Sequence, residues 1–465
     1  MGSMHRPWTD LLPTWLAASR AVGRNRAGQE QARREPAGGT TAHRAALASA
    51  SVHPSDSSDA DRSAATPGGQ SAANPTVSSP ESPGHAADSR ASTSLPLSNA
   101  ALAFRGYNVV NLGRTAELLA TPAYANTVAA YLNEGSEICS EATGRVVNLL
   151  QRVREGREPT LEDYAESIVL ILAMEHAQLK LLHDCFGVDY HKARVSIGFS
   201  LGEISALVAG GSFTLRDALQ VPLAVSGDCV ALAHDVVMGI LFSKGEAIPL
   251  ERAEALCLSI NSEGDGIIGV SAQLAPNSLL VLGNRSTLQR FRERMSEITH
   301  VRLSLRENEH RWPPLHTPIM WERNIPNRAS KMLLTIPGGI RKPHPEVLSM
   351  VTGTIAYNDY NARDLIARWI DHPQRMWDVV NELLVMGIES IIHLGPAPNI
   401  IPATFERISK NVEAMTQASR GLRAASYVVS RPWLQTLLPR RAALLRAPLV
   451  KHIILEDWLL AHVPQ

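Results

Sequence analysis

The chain has 465 residues, of which 45 are Lys or Arg and 45 are Asp or Glu, so its formal charge is balanced. That balance argues against a nucleic-acid binder, which needs a basic excess or stripe to meet phosphates. No uncharged apolar run approaches the roughly 20 residues needed to cross a bilayer. Four scattered cysteines (Cys139, Cys185, Cys229, Cys257) show neither Cys-x-x-Cys nor zinc-type His spacing, so they read as reduced core thiols in a cytoplasmic protein without a metal site.

From Ala37 to Leu97 the chain is Ser, Ala, Pro, Gly and Thr with almost no large apolar side chain. Such a stretch cannot bury enough apolar surface to offset its chain entropy, which predicts a disordered, low-complexity segment over residues 1–97. Ahead of it, Trp8, Leu11, Leu12, Trp15 and Leu16 suit a short amphipathic turn, with Arg20, Arg24 and Arg26 behind. A targeting sequence and a non-folding or misassigned start are both open there. Leu102, Ala103 and Phe104 then begin an apolar strand, Gly106 follows, and a helical stretch runs from about Thr121 to Ser140. A further helix starts near Thr160, with Asp163 as its capping partner. Its run from Ile168 to Leu172 continues through Leu179, Leu181 and Leu182, apolar on most sides, which predicts a buried helix.

Arg194, Val195, Ser196 and Ile197 form a strand-like run into Gly198-Phe199-Ser200-Leu201-Gly202, after which Ile204, Leu207 and Val208 repeat at helical spacing until Gly210 and Gly211. Gly-x-Ser-x-Gly between a strand and a helix reads as a nucleophile elbow, a tight turn that lifts a serine hydroxyl clear of the sheet. Its crowded backbone needs small residues. Ser200 then stands at a helix N-terminus, where free N–H groups can receive an oxyanion. The plain alternative is an accidental loop serine, so a second pattern is needed.

Between about Val236 and Leu305 the rhythm changes to strand, helix, strand, strand, helix, strand. That is the split βαβ, ferredoxin-like arrangement, inserted in a larger domain. Sheet elements resume at Glu346–Val351 and at Ser390–Leu394, the second running into Gly395-Pro396-Ala397-Pro398. The alternation of strands and helices predicts an α/β fold with a parallel sheet covered on both faces. The tail, with Leu437, Leu444, Leu445, Leu449, Ile453, Ile454, Trp458 and Leu459, reads as helices packed on the main body or on a partner.

A serine nucleophile needs a base, usually histidine, and sixteen histidines are present. His316 stands out because Leu315-His316-Thr317-Pro318-Ile319-Met320 follows directly on the inserted domain; His310 is its rival. With Gly198-Phe199-Ser200-Leu201-Gly202-Glu203, Leu315-His316-Thr317, Pro373-Gln374-Arg375-Met376-Trp377 and His393-Leu394-Gly395-Pro396-Ala397 in this order, the chain resembles the malonyl-CoA:acyl-carrier-protein transacylase family, including the acyltransferase domains of polyketide synthases. The resemblance spans roughly residues 100–408.

The resemblance implies a parallel-sheet, α/β-hydrolase-like acyltransferase core with an inserted ferredoxin-like subdomain. The expected organisation is a disordered segment (1–97), a large subdomain in two parts (98–235 and 306–414), a small subdomain (236–305) and a helical C-terminal extension (415–465). It implies that Ser200 attacks the thioester of an acyl-CoA with His316 as general base, and that the phosphopantetheine thiol of an acyl carrier protein then takes the acyl group, in fatty-acid or polyketide assembly. The Leu201 N–H would give one half of the oxyanion hole. No permanently bound cofactor is implied, and acyl-CoA is a substrate.

Three departures from the family's pattern stand out. Where the family opens with Phe-Pro-Gly-Gln, this chain has Phe104-Arg105-Gly106-Tyr107-Asn108, so the Tyr107 hydroxyl or the Asn108 amide has to replace a glutamine at the oxyanion site. Where the family pairs an arginine with the malonyl carboxylate, this chain has Leu223-Ala224-Val225-Ser226-Gly227. A carboxylate buried against Val225 and Ser226 would lose its hydration without compensation, so an uncharged acyl group fits better unless Arg306 or Arg311 reaches in. Phe199 replaces the family's histidine before the nucleophile, which reads as a packing swap. Glu203 reads as a helix-terminus carboxylate, His393 as a core side chain, Asn399 as loop polarity, and Arg440, Arg441, Arg446 and Lys451 as a solvated face that could alternatively meet a carrier protein. A thioester hydrolase and a catalytically weak docking protein are the alternative functions.

Overall fold

The computed structural model describes residues 95–244, 246–418 and 440–464. Expectations for residues 1–94 and 419–439, including most of the low-complexity segment and Leu437, lie outside them. The described chain opens on Leu95, which is already buried in the main core.

Strand β1 (Ala100–Phe104) is buried along its whole length, as its uninterrupted apolar sequence demands of a strand covered on both faces. With β2 (Val195–Gly198), β7 (Val347–Ser349), β8 (Thr354–Ile355), β9 (Ser390–Leu394) and β10 (Lys451–Ile454) it forms a six-stranded sheet of order β10-β9-β1-β2-β7-β8. All pairings in it are parallel except β7 with β8. Strand alternation divides the core: Leu102, Phe104, Ile392 and Leu394 face one cluster, and Ala101, Ala103, Ile197 and Ile391 face the other.

Helices α1 (Pro122–Thr143), α2 (Tyr164–Phe186), α3 (Leu201–Ala209) and α4 (Leu215–Ala233) cover the first face. The expected buried helix is α2, in which every residue from Ser167 to Leu179 is buried. The opposite face is covered by α9 (Met376–Met386) and α10 (Ile400–Ala418).

Strands β3 (Val236–Ser243), β4 (Ile268–Ala275), β5 (Ser278–Asn284) and β6 (Leu303–Glu307) build a four-stranded antiparallel sheet of order β4-β5-β3-β6. Helix α5 (Leu250–Asn261) lies between β3 and β4 in sequence and α6 (Arg285–Arg294) between β5 and β6; Leu256, Ile260, Leu288 and Phe291 bury against the sheet in a separate core. The chain then returns through α7 (Ile325–Thr335) and α8 (Ala362–Trp369). Strand β4 meets the returning chain in an isolated parallel bridge, Ala272 with Gln374.

The C-terminal stretch differs from the helical extension expected for 415–465. Helix α10 runs through that boundary to Ala418, and Lys451–Ile454 is a strand, paired in parallel with β9, before the short helix α11 (Leu455–Ala461). Four residues containing two β-branched isoleucines satisfy the open edge of β9 better than they would extend a helix. Phe104 pairs with both Gly198 and Leu394, so β1, β2 and β9 end at one level. The loops that follow them converge beyond the carboxyl edge of the sheet, where open α/β sheets hold their ligand sites.

Candidate active site

The elbow is a steric necessity of that convergence. A Cβ on Gly198 would lie 2.0 Å from the Gly202 carbonyl carbon, and one on Gly202 would lie 2.2 Å from the Phe104 carbonyl oxygen. Only glycine at both positions lets α3 start directly against the end of β1. Ser200 takes φ 54° and ψ −119°, a strained conformation for a residue with a side chain, and stays half-buried.

The Ser200 Oγ lies 2.7 Å from His316 Nε2. His316 is 4% exposed, and its Nδ1 lies 2.6 Å from the Trp369 carbonyl oxygen. Its main-chain N–H donates to the Ile370 carbonyl at 2.7 Å. Both carbonyls belong to the C-terminal end of α8, where helix carbonyls lack intrahelical partners and the dipole is negative. A backbone carbonyl therefore orients the imidazole, in the place where Ser-His-Asp sites use aspartate. Nδ1–H donating to Trp369 leaves the Nε2 lone pair to accept the serine proton; this tautomer follows from the hydrogen-bond network. Burial holds the imidazole down at about 4, against the pull of the Trp369 carbonyl and Asp371. The Trp369 indole N–H closes the ring of contacts by donating to the Ser200 carbonyl at 2.9 Å.

In the first turn of α3, the Gly202 N–H donates to the Phe199 carbonyl and the Glu203 N–H to the Ser200 carbonyl. The Leu201 N–H, first in the helix, has no intrahelical acceptor and adjoins Ser200. The loop after β1 runs beside it, since a Cβ on Gly106 would stand 3.3 Å from the Ser200 Cβ. Tyr107 packs edge-on against Tyr164 (4.8 Å) and Trp312 (5.9 Å). Burial, with Glu162 and Glu158 nearby, pushes its phenol up to about 12. Its hydroxyl makes no hydrogen bond among the described residues. The Asn108 Oδ1 accepts from the Val109 N–H at 2.8 Å, and Asn108 and Asn111 bond each other through main-chain and side-chain atoms.

Val225 and Ser226 are buried on α4, and the Ser226 hydroxyl donates to the Leu223 carbonyl of its own helix at 2.7 Å. No hydrogen bond joins either residue to the Ser200–His316 pair. Arg311 pairs with His234 at 2.7 Å and Arg306 is exposed on β6, and neither hydrogen-bonds Val225, Ser226 or the Ser200–His316 pair. Phe199 is buried in the second core, as a packing residue.

The rivals fall away. His310 is exposed, its main-chain N–H on Asn308. His393 is fully buried on β9 with its Nε2 2.8 Å from His452 Nδ1 on β10. Glu203 accepts from the Met350 N–H and the Tyr357 hydroxyl, clamping α3 to the end of β7, and burial raises its carboxyl to about 7. Asn399 is exposed and its carbonyl receives the Ala403 N–H, a helix-start role. Arg446 does not belong to a solvated face: it is buried and donates to the Leu384 carbonyl.

Trp369 escaped the sequence reading, and Gln374 and Arg105 stand in it only inside quoted segments, with no role of their own. Arg105 follows a wholly apolar strand and is 4% exposed. Its guanidinium donates to the carbonyls of Gly106, Val110 and Pro396 and to Asn111 Oδ1, tying the loop after β1 to the turn after β9. Its N–H donates to the fully buried Glu175, whose carboxyl burial pushes upward. An arginine immediately after a fully apolar strand was the available signal. Among the described residues no group of three or more His, Cys, Asp or Glu side chains is placed to hold a metal ion, and no helix is long and apolar enough to cross a membrane.

No family model matches the chain. A malonyl-CoA:acyl carrier protein transacylase of Bacillus subtilis is 23% identical over 222 residues, 47% of this chain; the chain spans about half (51%) of that relative's length. The solved malonyl-CoA:acyl carrier protein transacylase of Xanthomonas oryzae superposes with a TM-score of 0.53 at 21% identity, over 67% of this chain and 92% of its own. A complex of a type II polyketide-synthase acyl-carrier protein with its malonyl-transacylase gives 0.50 at 18% identity, over 66% and 92%. The chain thus resembles the malonyl-CoA:acyl-carrier-protein transacylase family in sequence and shares the fold of its solved members.

Proposed function

We propose that the chain is an acyl-CoA:acyl-carrier-protein S-acyltransferase of the malonyl transacylase type, acting in fatty-acid or polyketide assembly in the cytoplasm. The observation that carries this is the 2.7 Å contact between Ser200 Oγ and His316 Nε2, with the far side of the imidazole committed to the Trp369 carbonyl. His316 takes the hydroxyl proton as the Ser200 oxygen bonds to the thioester carbon. The C–S bond then breaks, and CoA leaves as a thiol with the proton from the imidazolium. The thiol of the carrier protein's phosphopantetheine arm returns along the same path, its proton passing through His316 to the departing Ser200 oxygen. The Leu201 N–H stabilises the oxyanion, with Tyr107 or Asn108 as the second donor. No bound cofactor is required. The four cysteines are free thiols, in keeping with the compartment.

The four-stranded antiparallel unit is read as a ferredoxin-like subdomain, on its strand-helix-strand-strand-helix-strand order. The carrier-protein partner is supported by the neighbour that was solved with one. For the acyl group, a carboxylate placed against Val225 and the self-bonded Ser226 finds no guanidinium, so an uncharged acyl chain is the reading we favour. Radiolabelled acyl-CoA should acylate the wild type and leave Ser200→Ala unlabelled; labelling that persists in Ser200→Ala overturns the proposal. Intact mass after exposure to malonyl-, acetyl- and longer acyl-CoAs reads the acyl preference, and competition between water and carrier thiol for the acyl-enzyme separates transferase from hydrolase.

A further inference from the structure

Gln374 is wholly buried on the segment between α8 and α9, and both ends of its carboxamide touch the catalytic pair. Its Oε1 accepts the Ser200 main-chain N–H at 3.0 Å, and its Nε2 lies 3.2 Å from His316 Nδ1. Its backbone is pinned to the antiparallel sheet: the Gln374 N–H donates to the Ser271 carbonyl at 2.8 Å, and the Gln273 N–H donates to the Gln374 carbonyl at 2.9 Å. The same Ser271 donates its hydroxyl to the Leu315 carbonyl, next to the base, at 3.2 Å.

Nδ1 already donates its proton to Trp369, so the Gln374 amide N–H groups face a second donor and not a lone pair. Turning the carboxamide over would satisfy His316 and set the NH2 group against the Ser200 N–H. One donor–donor contact survives either way. The orientation that serves Ser200 puts the positive end of the amide dipole beside the imidazole. The nearby Asp371 carboxylate is engaged by the Trp321 indole and by His372.

We propose that Gln374 is a positioning residue, anchored on the small sheet, that holds the Ser200 main-chain N–H and opposes build-up of imidazolium at His316. This rests on the acyl-transfer reading for its chemistry, since a thiolate leaving group needs little acid assistance and tolerates a weak base.

The test uses a fluorophosphonate probe: the Ser200 oxygen bonds to phosphorus, fluoride leaves, and His316 takes the proton. Gln374→Glu places an acceptor against both Ser200 N–H and His316 Nδ1–H. The acid limb of the labelling rate should move up by about 1–3 pH units, the range for an opposite charge at this distance. Gln374→Leu keeps the bulk but orphans the Ser200 N–H. Its limiting labelling rate should fall about 10-fold, the acid limb should move up by less than in Gln374→Glu because the opposing amide dipole is gone, and half-saturation by acyl-CoA should stay unchanged. A Gln374→Leu rate equal to wild type, or an unmoved acid limb in Gln374→Glu, overturns the inference. Should the variants fold poorly, 15N spectra of the wild-type imidazole, assigned with His316→Gln, decide instead: Nδ1-protonated supports it and Nε2-protonated overturns it. The probe contains no CoA, so acyl-CoA failing to label Ser200 would remove the acyl-transfer reading and leave this one standing.

Discussion

Acidification separates a buried base from an exposed one. A histidine in water titrates near 6.5, and burial holds His316 down at about 4. The gap of about 2.5 units corresponds to roughly 3 kcal/mol favouring the neutral imidazole, at about 1.36 kcal/mol per unit. At pH 5 about 90% of His316 stays neutral, against about 3% of an exposed histidine, a ~30-fold difference in competent base. The assay is the second-order rate of Ser200 modification by a fluorophosphonate between pH 3.5 and 8, because fluoride departure does not titrate there. The rate should hold its plateau through about pH 5. Unfolding must be followed alongside by circular dichroism. His176 and His393 are also buried neutral, held down at about 4 and about 3, so the unfolded chain takes up protons before the native one does. These two and His316 therefore withdraw stability as the pH falls from about 6.5 towards their native values. A half-maximum at about pH 6 or above, in protein that is still folded, refutes the assignment of a desolvated His316 as base.

Two further outcomes follow from contacts already described. Gly202→Ala drives a methyl group into the Phe104 carbonyl, a backbone atom that cannot swing aside. It should cost about 3 kcal/mol or more, at the upper end for overpacking, and chemical denaturation would show it as a lowered midpoint; an unchanged midpoint contradicts the elbow geometry. Val225→Arg supplies a guanidinium where the resemblance sets the carboxylate partner. A charge-assisted hydrogen bond of about 1.5–3 kcal/mol should raise malonyl over acetyl loading by roughly 10- to 100-fold in a mixed-donor mass experiment. A folded variant with an unaltered ratio would show that α4 does not line the acyl pocket.

The Ser200–His316 contact was legible because it is written locally. Gly198 and Gly202 announce a crowded turn, and Leu315-His316-Thr317 stands directly after a change of rhythm. The central strands were legible as well, since Ala100–Phe104 is an uninterrupted apolar run and Ser390–Leu394 carries Ile391, Ile392 and Leu394, as a covered parallel strand needs. Trp369 could not be found in this way, because its contact with His316 is made by a carbonyl, and every residue has one. Gln374 was hidden for a different reason: its role depends on a bridge to Ala272, far earlier in the chain, that no periodicity encodes. Ile453 and Ile454 were misread as helical because four residues are too few to show alternation, and only the vacancy beside β9 decides their conformation.

That last pairing makes the C-terminus part of the sheet's architecture. Cutting after α10 would strip Lys451–Ile454 from β9 and leave a row of unsatisfied amides and carbonyls facing solvent. Glu456, which receives the N–H groups of Arg114 and Ala397 in the stretches that follow β1 and β9, would go with it. A shortened protein would therefore be sticky along one seam and slack around Ser200, two defects with a single origin.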